Sequence, residues 1–357
     1  MQTTSPAPAE AAGGAQPRGE ARAAVLGRPA AGAFVAPALL LIAGFLVFPA
    51  LWTLYLGLTD YRLTGAAAVN PSLVGLDNYT QALSDPQFRN SLLVTALFVF
   101  GSAVVGQTCL GFALAWTMRD WRSPLRAVVE VLVIVAWILP GSVVAFLWIA
   151  FLDGQSGPLN ALLPGVSTEW LLDTPLLAVI VFNTWRGTAF SMLLYGAALS
   201  AVPPSHLETA RLAGANAFQQ LRDVVLPTIR GHILTSLLLI SLWTFNDFTP
   251  YLLTRGGPNF RTEVLPVFIF RNAISSGQLG YGAAISTVVL GVNLVIALFY
   301  LQQRATGTPS FDYDVLREAG VVDAGGSGLL EIVRGLAAAV AGEELPPAPP
   351  AQEELSY

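Results

Sequence analysis

Lysine is absent from this 357-residue chain; all 18 basic residues are arginine. A phosphate-cradling loop of the GxxxxGK[ST] kind places its Lys on the β/γ-phosphates, so no such loop exists here. Cys109 is the only cysteine, which excludes an internal disulfide and any CxxC site. His206 and His232 are the only histidines and lie far apart in the sequence, so a zinc site of the usual three or four His/Cys ligands is excluded. No metal, cofactor or catalytic set is therefore expected. Charge is also scarce. Charged residues make up 11% of the chain, against about 25% in a soluble domain. The net charge of −5 gathers in the C-terminal tail, so a nucleic-acid surface is not expected.

What the chain has in excess is hydrocarbon, 54% of its residues. A helix crosses the hydrocarbon core with roughly 20 mostly apolar residues. Six runs qualify, near 33–57, 91–117, 127–152, 176–201, 232–253 and 282–302. In lipid each backbone N–H must be bonded within its own segment, so these runs read as helices. The first run is too long for a signal-peptide core, and no small-residue cleavage site follows it. Arginines gather before the first run (Arg18, Arg22, Arg28), between the second and third (Arg119, Arg122, Arg126) and between the fourth and fifth (Arg211, Arg222, Arg230). Arg304 follows the last run, whereas Arg255, Arg261 and Arg271 in the fifth loop go against the trend. The balance predicts both termini in the cytoplasm. Residues 1–30 and 305–357 are expected to be disordered tails flanking one six-span membrane domain over 31–304, with one short helix near 329–340.

The cytoplasmic loop 203–227 carries the most specific chemistry. Pro203 and Pro204 stop the fourth span. Ser205 with Glu208 predicts a capping box, Gly214 a left-handed helix stop, and Asn216 with Gln219 a second capping box. The second helix is expected to carry Phe218, Leu221, Val224 and Val225 on one side, and Pro227 suits the first turn of the fifth span. Such a hairpin is longer than the roughly 2–8 residues of an ordinary helix connection. It is expected to present Leu207, Leu212 and Phe218 to a partner with an apolar groove.

Glu208-Thr209-Ala210, Gly214 after three intervening residues, and Leu226-Pro227 after eleven more resemble the EAA motif of bacterial ABC importer permeases. Thr209 stands where that motif has Ala, and Ala213 where the carbohydrate subclass has Asp. Val74-Gly75-Leu76-Asp77-Asn78-Tyr79, Gly157-Pro158-Leu159-Asn160 and Leu253-Thr254-Arg255-Gly256-Gly257-Pro258 are similar to segments of the carbohydrate-type members, relatives of the maltose and glycerol-phosphate permeases. The resemblance covers about residues 34–303. It implies an all-α membrane fold with six spans and a coupling-helix hairpin. It also implies a bacterial plasma-membrane location and partners: a dimer of ATP-binding cassette subunits, a second permease subunit and an extracytoplasmic solute-binding protein. Glu208, Thr209, Ala210, Gly214, Leu226 and Pro227 would then form the contact with the ATPase. Helix capping alone also accounts for Glu208 and Gly214.

Ionisable residues inside a bilayer cost about 2.5–3.5 kcal/mol on insertion scales and are functional candidates by default. Arg186 and Asp247 stand out, with Asn183, Asn246, Trp185 and Trp243 near them. Carboxylate, amide and guanidinium with an aromatic ring suit a sugar, so Arg186, Asn246, Asp247 and Trp243 are candidates for the pathway. An Arg186–Asp247 ion pair that only fixes packing is the alternative. A permease for a polyamine or phosphate, and a stand-alone secondary transporter, also remain open; the absence of evident inverted repeats weighs against the latter.

Overall fold

The computed structural model describes residues 28–119, 124–163 and 165–307; the expectations for both tails lie outside these residues. The described chain is helical, with one isolated bridge between Thr59 and Leu73. In chain order the principal helices are α1 (Val35–Gly57), α2 (Pro86–Met118), α3 (Pro124–Ile138), α4 (Gly141–Phe151), α5 (Pro175–Ser200), α6 (Pro204–Leu212), α7 (Ala217–Thr228), α8 (Arg230–Phe245), α9 (Thr249–Thr254), α10 (Leu265–Ser275) and α11 (Leu279–Gly307). Helices α1, α2, α5 and α11 are each long and apolar enough to cross a membrane. Two further spans are broken. Helices α3 and α4 together form one, bent by 107°, and α8 follows α7 across a 71° bend.

Two expected continuous spans are thereby corrected. The run 127–152 breaks at Leu139-Pro140, where Pro140 caps α4 with an extended backbone. Proline has no N–H to give and pushes the residue before it out of helical geometry. The run 232–253 stops at Phe245 and resumes as α9. There the Asp247 carboxylate accepts the Thr249 N–H at 2.9 Å and the Thr249 hydroxyl at 2.6 Å. A short acidic side chain offers the backbone this alternative to a helix bond. Breaks of this kind are tolerated at membrane depth where side chains satisfy the freed backbone groups.

The chain divides into two compact units, one of residues 28–85 with 269–289 and one of 86–268 with 290–307. In the first unit α1 buries none of its apolar window. Asn78 ties down the chain that leaves α1, its amide donating to the carbonyls of Gly57 (3.0 Å) and Thr59 (2.8 Å). Asp60 accepts from the Ser72 N–H and hydroxyl at 2.6 and 2.8 Å, which holds its carboxyl below the usual range.

In the second unit α5 packs against α2, α3 and α8. Small residues permit the close approach to α2. A Cβ added at Gly111 would stand 2.6 Å from the Ser191 side chain. Helix α2 is π-helical from Val99 to Gln107, and the Thr108 hydroxyl donates five residues back to Ala103 at 3.1 Å. Met118, Met192, Tyr195, Leu199, Val225 and Ile229 form the core at the α6 end. Phe98, Val179, Val264 and Val267 form another at the opposite end of α5.

The loop after α4 has its own hydrogen-bond hub. The Asn160 amide donates to the carbonyls of Gly154 (2.8 Å) and Thr168 (3.1 Å), and its oxygen accepts the Trp170 indole N–H at 2.7 Å. Asp153 accepts from the Ser156 N–H (2.7 Å) and hydroxyl (2.8 Å) and from Gln155 N–H, and these donors hold its carboxyl below the ordinary value.

Candidate functional site: an exposed elbow and an intramembrane cleft

Helices α6 and α7 form the elbow expected from loop 203–227, with a different start. Pro203 occupies the N-cap and Pro204 the first turn, with no side-chain cap. The expected Ser205–Glu208 capping box is not formed. Pro204 suits the first helical position and draws the helix start two residues earlier, which leaves Ser205 inside α6 with its carbonyl bonded by the Thr209 hydroxyl at 2.8 Å. The other two signals are realised. Gly214 has φ +83°, and the pair Ala215 N–H to Ala210 O (2.9 Å) with Gly214 N–H to Arg211 O (3.0 Å) closes α6 in a Schellman turn. Asn216 and Gln219 exchange reciprocal bonds of 2.8 and 2.9 Å. The Gln220 amide adds a bond to Ala215 O at 2.8 Å.

The elbow has an inner and an outer face. Leu207, expected outside, is half-buried and packs with Leu221 on the core around Tyr195 and Leu199. Phe218 does not share a side with Leu221 and Val225; it is 68% exposed, and Leu212 at the tip is 91% exposed. Helix α7 becomes π-helical over Leu221–Val225, which shifts the phase of its side chains relative to Phe218. Pro227 lies in the last turn of α7, just before the 71° bend into α8. Thr209 and Pro227 line a hollow of about 350 Å³ between the two elbow helices, together with His206 and Asp223. Glu208 and Gly214 are exposed, and Ala210 and Leu226 are half-buried.

The second candidate lies inside the second unit, where α2, α3, α5 and α8 meet. Arg186, Asp247 and Trp243 line one cleft together with Gln107, Trp137 and Phe190. Arg186 donates from Nη1 to the Thr249 hydroxyl at 3.0 Å, and that hydroxyl donates to Asp247 Oδ1 at 2.6 Å. Thr249 thus relays between the two ionisable groups, and no direct salt bridge joins them among the described residues. Asn183 beneath them is buried and donates to the hydroxyls of Ser102 (2.7 Å) and Thr244 (3.4 Å). Trp137, Phe190 and Trp243 form an aromatic triangle with centroids 5.8–6.3 Å apart. Asn246 does not join this set; it exchanges amide bonds with Asn293 of α11 at 3.1 and 3.2 Å. The cleft holds about 40 Å³, room for water but not for a sugar.

The sequence profile described as "Binding-protein-dependent transport system inner membrane component" matches residues 107–307, the stretch that includes both the cleft and the elbow. The chain belongs to this family. A probable ABC transporter permease of Pyrococcus horikoshii is 31% identical over 75% of this chain and 93% of its own length. The trehalose/maltose transport system permease MalF of Thermococcus litoralis is 30% identical over 75% of this chain and 91% of its own. Among solved structures, a chain of a bacterial alginate ABC transporter shares the fold with a TM-score of 0.62 at 19% identity, covering 76% of this chain and 92% of that one. The protein is thus a multi-pass membrane permease.

Several residues of this permease's cleft carry weak sequence signals. Gln107 and Ser102 are single polar residues in an apolar run, and only the π-helical turn of α2 brings both to Asn183. The side chain of Gln107 occupies the space where a Cβ at Gly187 would stand. Thr249 reads as one more residue of the fifth apolar run; the break after Phe245 is what brings its hydroxyl to Arg186.

Proposed function

We propose that this permease is the membrane subunit of a sugar or polyol importer, driven by a separate ATP-binding cassette dimer and fed by an extracytoplasmic solute-binding protein. The observation that carries the coupling is the elbow. It is closed by a Schellman turn and a capping box, its inner face is fixed to the core, and its outer face leaves Leu212 and Phe218 without cover. An ordered element with apolar side chains at its tip suits docking into a groove of another subunit. In this reading Glu208, Thr209, Ala210, Gly214, Leu226 and Pro227 form or support that contact, both termini lie in the cytoplasm, and a second, different permease subunit completes the pathway.

The relatives named for trehalose/maltose, diacetylchitobiose and sulfoquinovosyl glycerol transport support a carbohydrate solute. So does the cleft chemistry, in which a guanidinium, a carboxylate and a buried amide face an aromatic triangle. Arg186, Asp247 and Trp243 would contact the solute directly, and Asn246 would act from the neighbouring α8–α11 contact. A cleft of about 40 Å³ is too small to hold a sugar. Solute passage requires a second state, and ATP binding shifts the balance only by favouring one of them. The breaks at Leu139-Pro140 and at residues 246–248 are the places where the helices can hinge.

The test is co-purification with an ATP-binding cassette subunit from the same cells, combined with uptake of labelled sugars. Glu208→Lys and Gly214→Asp are expected to abolish both while leaving the permease in the membrane. Normal assembly and ATP-coupled uptake in both variants would sink the coupling assignment. Uptake of a polyamine or phosphate in place of sugars would overturn the solute class alone.

A further inference from the structure

Where α2 and α5 end beside the start of α3 and the elbow helix α6, the second unit contains a cavity of about 700 Å³. Its lining has two chemistries. One wall is hydrocarbon and thioether, made by Met118, Met192 and Leu199, all buried. The rim is charged, with the guanidinium groups of Arg119, Arg126 and Arg211 against the carboxylates of Glu130 and Glu208. Arg126 bonds Glu130 at 2.7 Å, and Arg119 lies 3.7 Å from the centroid of the Trp116 ring. The described rim thus carries one more positive than negative charge. Met118 ends α2, Pro124 opens α3 and Ser200 ends α5, so the cavity lies at the depth where the spans meet water.

A cavity with a cationic rim and an apolar wall at that depth matches one ligand chemistry, a phosphate ester joined to a hydrocarbon chain. A lone inorganic anion would satisfy the rim and leave the apolar wall bare. A sugar would do the reverse of what that wall favours, bringing hydroxyl groups against Met and Leu side chains. The volume lies within the roughly 300–1,000 Å³ of small-molecule sites, far above the need of an ion. Arginine clusters beside membrane spans bind anionic lipid headgroups by the same electrostatics.

We propose that this cavity is a binding site for an anionic phospholipid, its phosphate on Arg119, Arg126 and Arg211 and the start of an acyl chain along Met118, Met192 and Leu199. The occupant bridges α2 and α5 to α6, so it braces the elbow against the spans that the elbow moves. The site stands independently of the transported solute.

Gly196 supplies a steric test. It lines the cavity, and nothing lies within 4 Å of the place where its Cβ would stand, so Gly196→Phe fills the space without meeting a wall at the first atom. The full-length chain, purified in mild detergent, is titrated with phosphatidylglycerol, with phosphatidylcholine of the same acyl chains and with inorganic phosphate. Retained ligand is read by native mass spectrometry. Phosphatidylglycerol is expected to be retained in preference to phosphatidylcholine. Arg119→Gln and Arg126→Gln are each expected to lower its retention about fivefold, the effect of one arginine near a membrane surface. Gly196→Phe is expected to lower it with the thermal unfolding midpoint preserved. Equal retention of the two lipids, competition by inorganic phosphate alone, or retention indifferent to all three variants overturns the proposal.

Discussion

Thr249 is a small residue with a large position. It accepts from Arg186 and donates to Asp247, so it lets a guanidinium and a carboxylate share one cleft without collapsing into a direct pair. If the charges serve the solute, Asp247→Asn and Arg186→Gln lower initial uptake strongly at unchanged membrane level. Thr249→Val, which removes two hydrogen bonds to charged groups, is expected to cost on the order of 2–3 kcal/mol in cleft stability and to reduce uptake less than either charge change. Wild-type uptake in all three variants would reduce the cleft to packing. Asp153 permits a test by pH. Its folded pKa is held below the ordinary 3.8 by the Ser156 N–H and hydroxyl. A depressed carboxyl stabilises the loop above its unfolded pKa, and that contribution is lost as pH falls through the folded value. Hydrogen exchange in residues 153–173 is therefore expected to be constant from pH 7 down to about 4 after correction for intrinsic rates, and to rise below that. Asp153→Asn should expose the loop at every pH.

At the scale of elements, the breaks and turns matter more than the helices. Pro140 separates α3 from α4 with a 107° bend. Pro140→Ala restores a donor and a helical option for Leu139. The expected result is a straighter third span, seen as a longer spin-label distance between residues 128 and 147, with slower uptake. An unchanged distance would place the cause of the bend elsewhere. Gly214 is the corresponding point of the elbow. A β-branched residue at φ +83° costs about 1–3 kcal/mol, so Gly214→Val should increase amide exchange across residues 205–226 and leave α2 and α5 protected.

For the whole molecule, the uncovered surfaces state what the chain lacks alone. Leu212 and Phe218 are 91% and 68% exposed on a folded, capped element. Leu212→Ser with Phe218→Ser removes the apolar contact without touching the core. The double variant should keep its unfolding midpoint and its place in the membrane while the ATPase subunit no longer co-purifies. Retention of the ATPase would move the docking surface elsewhere. Orientation is testable in the same preparation. In a Cys109→Ser background, a cysteine at Ala213 should react with membrane-impermeant maleimide only from the cytoplasmic side, and one at Gln155 only from the outside.

The sequence by itself determined the six apolar spans, the elbow between the fourth and fifth, the Gly214 stop and the Asn216–Gln219 cap, because each follows from composition or from bonds within a few residues. It determined the family too, through residues of fixed spacing in that elbow. Only the tertiary structure decided where spans three and five break, because proline and aspartate at membrane depth break a helix only when neighbours satisfy the freed groups. It alone decided which polar residues converge. Gln107 and Ser102 reach Asn183 through a π-helical turn, and Asn246 is drawn away to Asn293 although Asp247 beside it faces Arg186 through Thr249. Rotation about a helix axis sets such partners, and a single residue of phase shift, invisible in an apolar run, sends a side chain to a different neighbour.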